Sequence, residues 1–200
     1  MTLTTPKGKA IYPRLNEPDT KFNVDGVYSA KIHVNESDYN GFKGQLDKWF
    51  AGEYQRLCQE NGNKKLRMAL SSPLSITPEG DFQIYAKQVA KKQTKKGELT
   101  FTIALFDSKG AKITDGPSVG SGSILKLAVE PAAWYSPTVG AGYTLRLKAA
   151  QVIELCEFGG GGSGSDNFGF SSEEEGYVSN GESFNSAFKD DTDDNDSVPF

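Results

Sequence analysis

Between Gly26 and Asn35, the side chains of Tyr28, Ala30, Ile32 and Val34 alternate with more polar neighbours, which predicts a half-buried strand. The period then lengthens. Phe42, Leu46, Trp49, Phe50 and Leu57 recur every three or four residues, predicting one helix capped by Ser37 or Asp38 and stopped at Asn61-Gly62-Asn63. Trp49 falls on the apolar stripe of that helix and is expected in the core. Period two returns at Phe82, Ile84 and Ala86, again at Leu99, Phe101, Ile103 and Leu105, and then over 124–129 and 143–155. Turn residues separate these runs: Lys95-Lys96-Gly97, Asp107-Ser108-Lys109-Gly110 and Val139-Gly140-Ala141-Gly142. Residues 9–15 predict an edge strand interrupted by Pro13.

About five short strands, abundant glycine and a single helix inserted between the early strands fit a mainly β protein. The expected architecture is a five-stranded Greek-key barrel of the OB-fold type, because an open sandwich needs more strands. The barrel is assigned to residues 1–158. The two cysteines, Cys58 and Cys156, form no CxxC pair, which argues against a disulfide framework or a zinc site and for buried thiols in a reducing compartment. Residues 1–9 lack the apolar stretch of a leader, and no run reaches the roughly 18 apolar residues of a membrane span. A soluble protein with no membrane partner is expected.

Charge divides the chain further. From residue 159 onward there are ten acids and one base, while residues 1–158 carry 21 bases and 16 acids. The formal net charge of −4 therefore averages a basic domain with an acidic appendage. The run Gly-Gly-Gly-Gly-Ser-Gly-Ser opens that appendage as a flexible linker, and residues 159–200 are expected to be a disordered tail. Its aromatics, Phe168, Phe170, Tyr177, Phe184, Phe188 and Phe200, stand among carboxylates, so it offers phosphate-like charge beside base-like rings.

A basic domain with exposed rings suits single-stranded DNA, whose phosphates need cations and whose bases need stacking partners. Lys87, Lys91, Lys92, Lys95 and Lys96 follow the strand that carries Phe82 and Tyr85, with Phe101 on the next. A hairpin would gather the lysines near its tip as a cationic finger; the alternative is a solvated turn. Trp134 and Tyr135 lie in a segment bounded by Pro131 and Pro137, which predicts a loop. The pair reads as a stacking platform or, for one ring, as a plug at the end of the barrel. Arg146 and Lys148 alternate with Leu145 and Leu147, so they face away from the core, as groove lining or as ordinary surface charge. Lys109 and Lys112 flank the Gly110 turn with the same two readings.

Catalysis finds no support. His33 is the single histidine and is read as a structural strand residue. Val119-Gly120-Ser121-Gly122-Ser123 lacks the Gly-Lys-Ser/Thr ending of a phosphate loop. The acids Glu17, Asp25, Asp47, Glu53, Asp81 and Asp107 are scattered, unlike a metal-dependent nuclease. No enzyme activity, cofactor or metal is expected. An acidic-tailed adaptor or chaperone that binds protein is the alternative.

The second half carries a family resemblance. Asp107-Ser108-Lys109-Gly110 followed by Lys112, the glycine-serine run into Leu125-Lys126, and Pro131 with Trp134 begin it. Val139-Gly140-Ala141, Leu145, Leu147, and Val152 through Glu154-Leu155 to Phe158-Gly159-Gly160 continue it. Glu174-Glu175-Gly176-Tyr177-Val178 and the terminal phenylalanine close it; upstream only Gly26-Val27-Tyr28 and the following helix are similar. In this order of motifs the chain resembles the single-stranded DNA-binding proteins of T7-type short-tailed phages. The resemblance implies an OB-fold dimer that coats single-stranded DNA in replication, recombination and repair, in the cytoplasm of the infected bacterial host. It also implies an acidic tail, here Asp190, Asp191, Asp193, Asp194, Asp196 and Phe200, that docks on the phage DNA polymerase and primase-helicase. Trp134 matches a family aromatic of the DNA-binding loop, and Lys109 and Lys112 match basic positions. Two departures stand out. Ala132 or Ala133 replaces the aromatic before the tryptophan, with Tyr135 following instead, and a neutral Ser197-Val198-Pro199 spacer precedes Phe200.

Overall fold

The computed structural model describes residues 1–95, 97–114 and 118–156. Lys96 and the tail residues Asp190, Asp191, Asp193, Asp194, Asp196 and Phe200 lie outside the described residues. In chain order the strands are β1 (Leu3–Thr4), β2 (Gly8–Asp19) and β3 (Val27–Val34), followed by helix α1 (Glu36–Glu60). Then come β4 (Leu74–Ile76), β5 (Phe82–Val89), β6 (Lys91–Thr94), β7 (Gly97–Thr100), β8 (Ala104–Phe106) and β9 (Lys112–Ile113). Two long strands complete the order, β10 (Ile124–Ser136) and β11 (Gly140–Glu154).

Five of these strands form a closed ring. β2 pairs with β3, β3 with β5, β5 with β11, β11 with β10, and β10 returns to β2. The β5–β11 contact is parallel and the other four are antiparallel, so this is the OB-fold barrel that the alternation predicted. Ala10 and Leu15 on β2, Tyr28, Ala30 and Ile32 on β3, and Ile84 and Ala86 on β5 point inward. Leu125, Leu127 and Val129 on β10 and Leu145, Leu147, Ala150 and Val152 on β11 complete the interior. Tyr39, Phe42 and Leu46 of the helix join the same core, and Trp49 is partly buried against it. No helix among the described residues is long and apolar enough to cross a membrane.

Several local expectations change. The helix begins earlier than predicted, because Asn35, not Ser37 or Asp38, is the cap: its Oδ1 accepts from the Asp38 amide at 2.8 Å. Its Nδ2 donates back to Asp38 Oδ2 at 2.7 Å, so the two side chains satisfy each other at the first turn. The predicted strand through Leu99 and Leu105 is broken in two. Phe101 donates its amide to Ala90 O at 2.7 Å as the last rung of the β6–β7 ribbon, and β8 then joins β11 in parallel. Residues 9–15 do form a strand, with a register shift between Ile11 and Arg14 where Tyr12 takes a φ of 45° and Pro13 follows.

Trp134 and Tyr135 lie within β10, not in a loop. Beyond Val129, β10 pairs among the described residues only with β11, so Pro131 interrupts no second ladder there. Pro137 falls in the turn that follows. The cysteines are free but only partly buried, so the expectation of buried thiols is not met. His33 has the structural setting expected: its Nε2 lies 2.7 Å from Gln83 Nε2 on the paired strand and its Nδ1 3.4 Å from Asp81.

Candidate nucleic-acid interface

Period-two alternation that buries one side of a barrel strand presents the other side to solvent. On β5 the inward Ile84 and Ala86 leave Tyr85 and Lys87 facing out. On β11 the inward Leu145 and Leu147 do the same for Thr144, Arg146 and Lys148. The parallel register sets Arg146 beside Lys87, which fuses the two outward rows into one surface. A groove of about 620 Å³ runs over it, lined by Lys87, Lys91, Lys92, Phe101, Arg146 and Lys148, with Asn23, Asp25 and Thr144 among its other walls. Six residues predicted in two groups, from the lysine hairpin and from the last strand, thus meet in one place. Among the described residues that line it, five cations face one carboxylate, Asp25.

Two neighbouring carboxylates modulate that charge. Glu130, across from Arg146 on β10, holds Lys148 at 2.9 Å, and this contact keeps the Glu130 carboxyl below the usual carboxylate range. Glu98 lies 3.8 Å from Lys91. Lys87 makes no salt bridge among the described residues, and it lines two further clefts that adjoin the groove.

The first of these clefts, about 170 Å³, is walled by Trp134, Tyr143, Tyr85, Pro73 and Leu145. Burial pushes the phenols of Tyr85 and Tyr143 upward in pKa, and hydrogen bonds with Ser29 and Ser72 respectively oppose that shift. Both phenols are therefore neutral near neutral pH. The Trp134 indole lies against the bare backbone of Gly142, its register partner. A Cβ there would come within 2.8 Å of the ring, so only glycine admits it. Its Nε1 is buried and has no hydrogen-bond partner among the described residues, a state that costs about 1–3 kcal/mol.

The predicted residues do not all converge. Tyr135, one position after Trp134, faces the opposite side of the ribbon and packs with Leu57, Leu66 and Ala141, so it serves a satellite core and not the groove. Lys95 is exposed at the turn of the β6–β7 ribbon, beyond the groove-lining pair Lys91 and Lys92. Lys109 and Lys112 lie on the β8–β9 turn, tied to β11 where Gln151 Nε2 donates to the carbonyls of Asp107 and Ser108 at 3.1 and 3.2 Å. They are exposed cations away from the groove lining.

Sequence reasoning passed over Lys31 and Thr144. Lys31 sits opposite Tyr85 in the β3–β5 register, and the inward Tyr28, Ala30 and Ile32 already implied that it faces out. Thr144 was legible in the same way from Leu145.

No family model matches the chain. Over 102 residues it is 36% identical to the single-stranded DNA-binding protein of Escherichia phage T7, and over 99 residues 35% identical to that of Enterobacteria phage T3. Those segments take up 50% and 48% of this chain but only 41% and 40% of the relatives' own lengths, less than half of either. In fold, the chain is similar to the crystal structure of gp2.5, a single-stranded DNA-binding protein encoded by bacteriophage T7. The TM-score is 0.69 at 25% identity, covering 90% of this chain and 98% of the other. It also shares the fold of the single-stranded DNA-binding protein of bacteriophage Enc34 in complex with single-stranded DNA, with a TM-score of 0.56 at 11% identity over 78% and 88% of the two chains. The likeness read from the motifs of the second half thus extends to the barrel: over about half its length in sequence, and over most of it in fold, the chain is similar to the single-stranded DNA-binding protein of phage T7.

Proposed function

We propose that this chain binds single-stranded DNA without sequence choice, coating strands exposed during phage DNA replication and recombination in the infected bacterial cell. The observation that carries the reading is the groove in which Lys87, Lys91, Lys92, Arg146 and Lys148 surround Phe101, continuous with the cleft that holds Trp134. Cations there neutralise phosphates, and rings beside them stack bases at about 1–3 kcal/mol each. In this reading the chain acts by binding and not by catalysis.

The same reading assigns residues 159–200 to a linker and an acidic tail that competes with DNA for the groove. A tethered competitor acts at high effective concentration through weak contacts, so it blocks poor ligands more than long strands. Once displaced, the tail with Asp190, Asp191, Asp193, Asp194, Asp196 and Phe200 recruits the phage DNA polymerase and primase-helicase, and the chain works as a homodimer. Lys95, Lys96, Lys109 and Lys112 add long-range attraction for the strand.

Titrating the full chain and a form lacking residues 159–200 with single- and double-stranded oligonucleotides at two ionic strengths tests this. The shortened form is expected to bind single strands more tightly and with a steeper salt dependence. Equal affinity of the two forms ends the competition model. A full chain and a shortened form that both ignore oligonucleotides even at low salt point instead to a protein-binding adaptor.

Gly142→Ala gives a second test, because its Cβ displaces the indole without touching a cation. Tryptophan emission is expected to shift, and affinity to fall by about fivefold with the salt slope unchanged. Unaltered binding would remove Trp134 from the interface.

A further inference from the structure

Lys126 on β10 pairs with Gln151 on β11, Gln151 with Phe106 on β8, and Phe106 with Lys112 on β9. The inward Leu125 and Leu127, Ala150 and Val152, and Leu105 turn these four side chains outward. One row across four strands thus sets a half-buried ring among lysines. Its turn is fixed from both sides. Asp107 Oδ1 accepts from the amides of Lys109 and Ala111 at 2.9 and 2.8 Å, and Gln151 Nε2 donates to the carbonyls of Asp107 and Ser108. The carboxylate beside Phe106 is therefore occupied within the turn.

The row overlooks a cleft of about 280 Å³, walled by Phe106 and Lys126 and floored by Ala128, Ala149 and Thr4. Thr4 stands opposite Ala128 in the β1–β10 register, and Ala149 opposite Ala104 on β8. No acid lines this cleft among the described residues. It shares no lining residue with the cationic groove, although the two meet along β11, where Lys148 lines the groove and Ala149 the cleft. Glu130, two positions beyond Ala128, is held by Lys148 at 2.9 Å and stands between the two spaces. Lys109, Lys112 and Lys126 make no salt bridge among the described residues, so their charge is left for a ligand.

We propose that this face is a second site for single-stranded nucleic acid, where a base stacks on Phe106 in the cleft and Lys109, Lys112 and Lys126 neutralise the phosphates around it. The site rests on the single-stranded DNA reading of the groove and adds to it, because one chain then holds two stretches of strand at once. Three cations around a cleft lined by no acid select a polyanion. The ring set in the same row as the ammonium groups selects a strand over an acidic peptide, since a strand alternates charge with planar bases. Small floor residues leave the open height that a stacked base needs. Lys109 and Lys112, remote from the groove, gain a ligand of their own.

The test is calorimetric titration of the full chain with thymidine oligonucleotides of about eight nucleotides, a length within the span of one OB-fold. Two binding events per chain are expected, the second about 25-fold weaker at about 0.1 M salt, because three cations serve it against five in the groove at about fivefold each. Lys112→Glu with Lys126→Glu should remove the second event and leave the first unchanged, which also reports that the barrel is intact. Lys87→Glu with Arg146→Glu should remove the first and leave the second. Phe106→Leu should weaken the second event about five- to tenfold with its salt slope unchanged, and Phe106→Tyr, which keeps the ring, should preserve it. One oligonucleotide per chain, or a second event that survives Lys112→Glu with Lys126→Glu, refutes the second site while the DNA reading of the groove stands. An oligoglutamate peptide of similar length that displaces the second oligonucleotide at a lower concentration than thymidine oligonucleotide does would make this face a protein-docking surface and overturn the proposal. If the wild-type chain binds no oligonucleotide, both readings fall together.

Discussion

Reversing two charges in the middle of the groove, Lys87→Glu with Arg146→Glu, is expected to weaken single-stranded DNA about a hundredfold at about 0.1 M salt. Each phosphate contact to a single strand adds about 0.7 to the salt slope, and so about fivefold in affinity between about 1 M and 0.1 M salt. Two lost contacts account for about 25-fold, and repulsion from two new carboxylates supplies the rest. Both side chains are exposed on neighbouring strands, so the fold is expected to survive. The neutral pair Lys87→Gln with Arg146→Gln separates the two effects, flattening the slope by about 1.4 without the repulsion. Anisotropy titrations at several salt concentrations read both quantities. A loss below threefold for the charge-reversed form would show that the strand runs elsewhere.

Leu147→Ala should cost the barrel about 2–5 kcal/mol, the usual range for truncating a fully buried leucine. Leu147 has no exposed surface and pairs with Val129, another fully buried residue, so the cavity has little room to collapse. For a chain of this size that corresponds to a fall in thermal midpoint of about 4–20 °C. Below the new midpoint, DNA affinity is expected to remain, because the groove-facing neighbours Arg146 and Lys148 are untouched. Circular dichroism melts and a titration at low temperature check the two halves. A melt unchanged by the substitution would contradict the inward placement of this strand face.

That placement was legible in the sequence, and the reason is local. In β3, β5 and β11, one residue's direction fixes the next, so Leu145 and Leu147 told where Arg146 and Lys148 point. What alternation does not carry is which strands become neighbours. The meeting of Lys87 with Arg146 depends on a parallel pairing between segments far apart in the chain, and no local pattern encodes it. Trp134 and Tyr135 were misplaced for another reason. Two prolines argued for a loop, yet a proline that interrupts no second ladder costs little, and once the segment is a strand its two rings must part to opposite faces. A ribbon does form, but it does not gather the lysines at its tip as expected: Lys87 stays on β5 in the barrel wall, Lys91 and Lys92 open β6, and Lys95 stands at the turn.

The barrel closes between β5 and β11 at a single bridge, and that bridge sets a lysine next to an arginine. Like charges across a sheet repel, so the seam that completes the cylinder is also where it is least content when empty. An anion lodged between the two would turn repulsion into a clasp. On the proposed function, a phosphate held between these two side chains would also brace the wall beneath the groove.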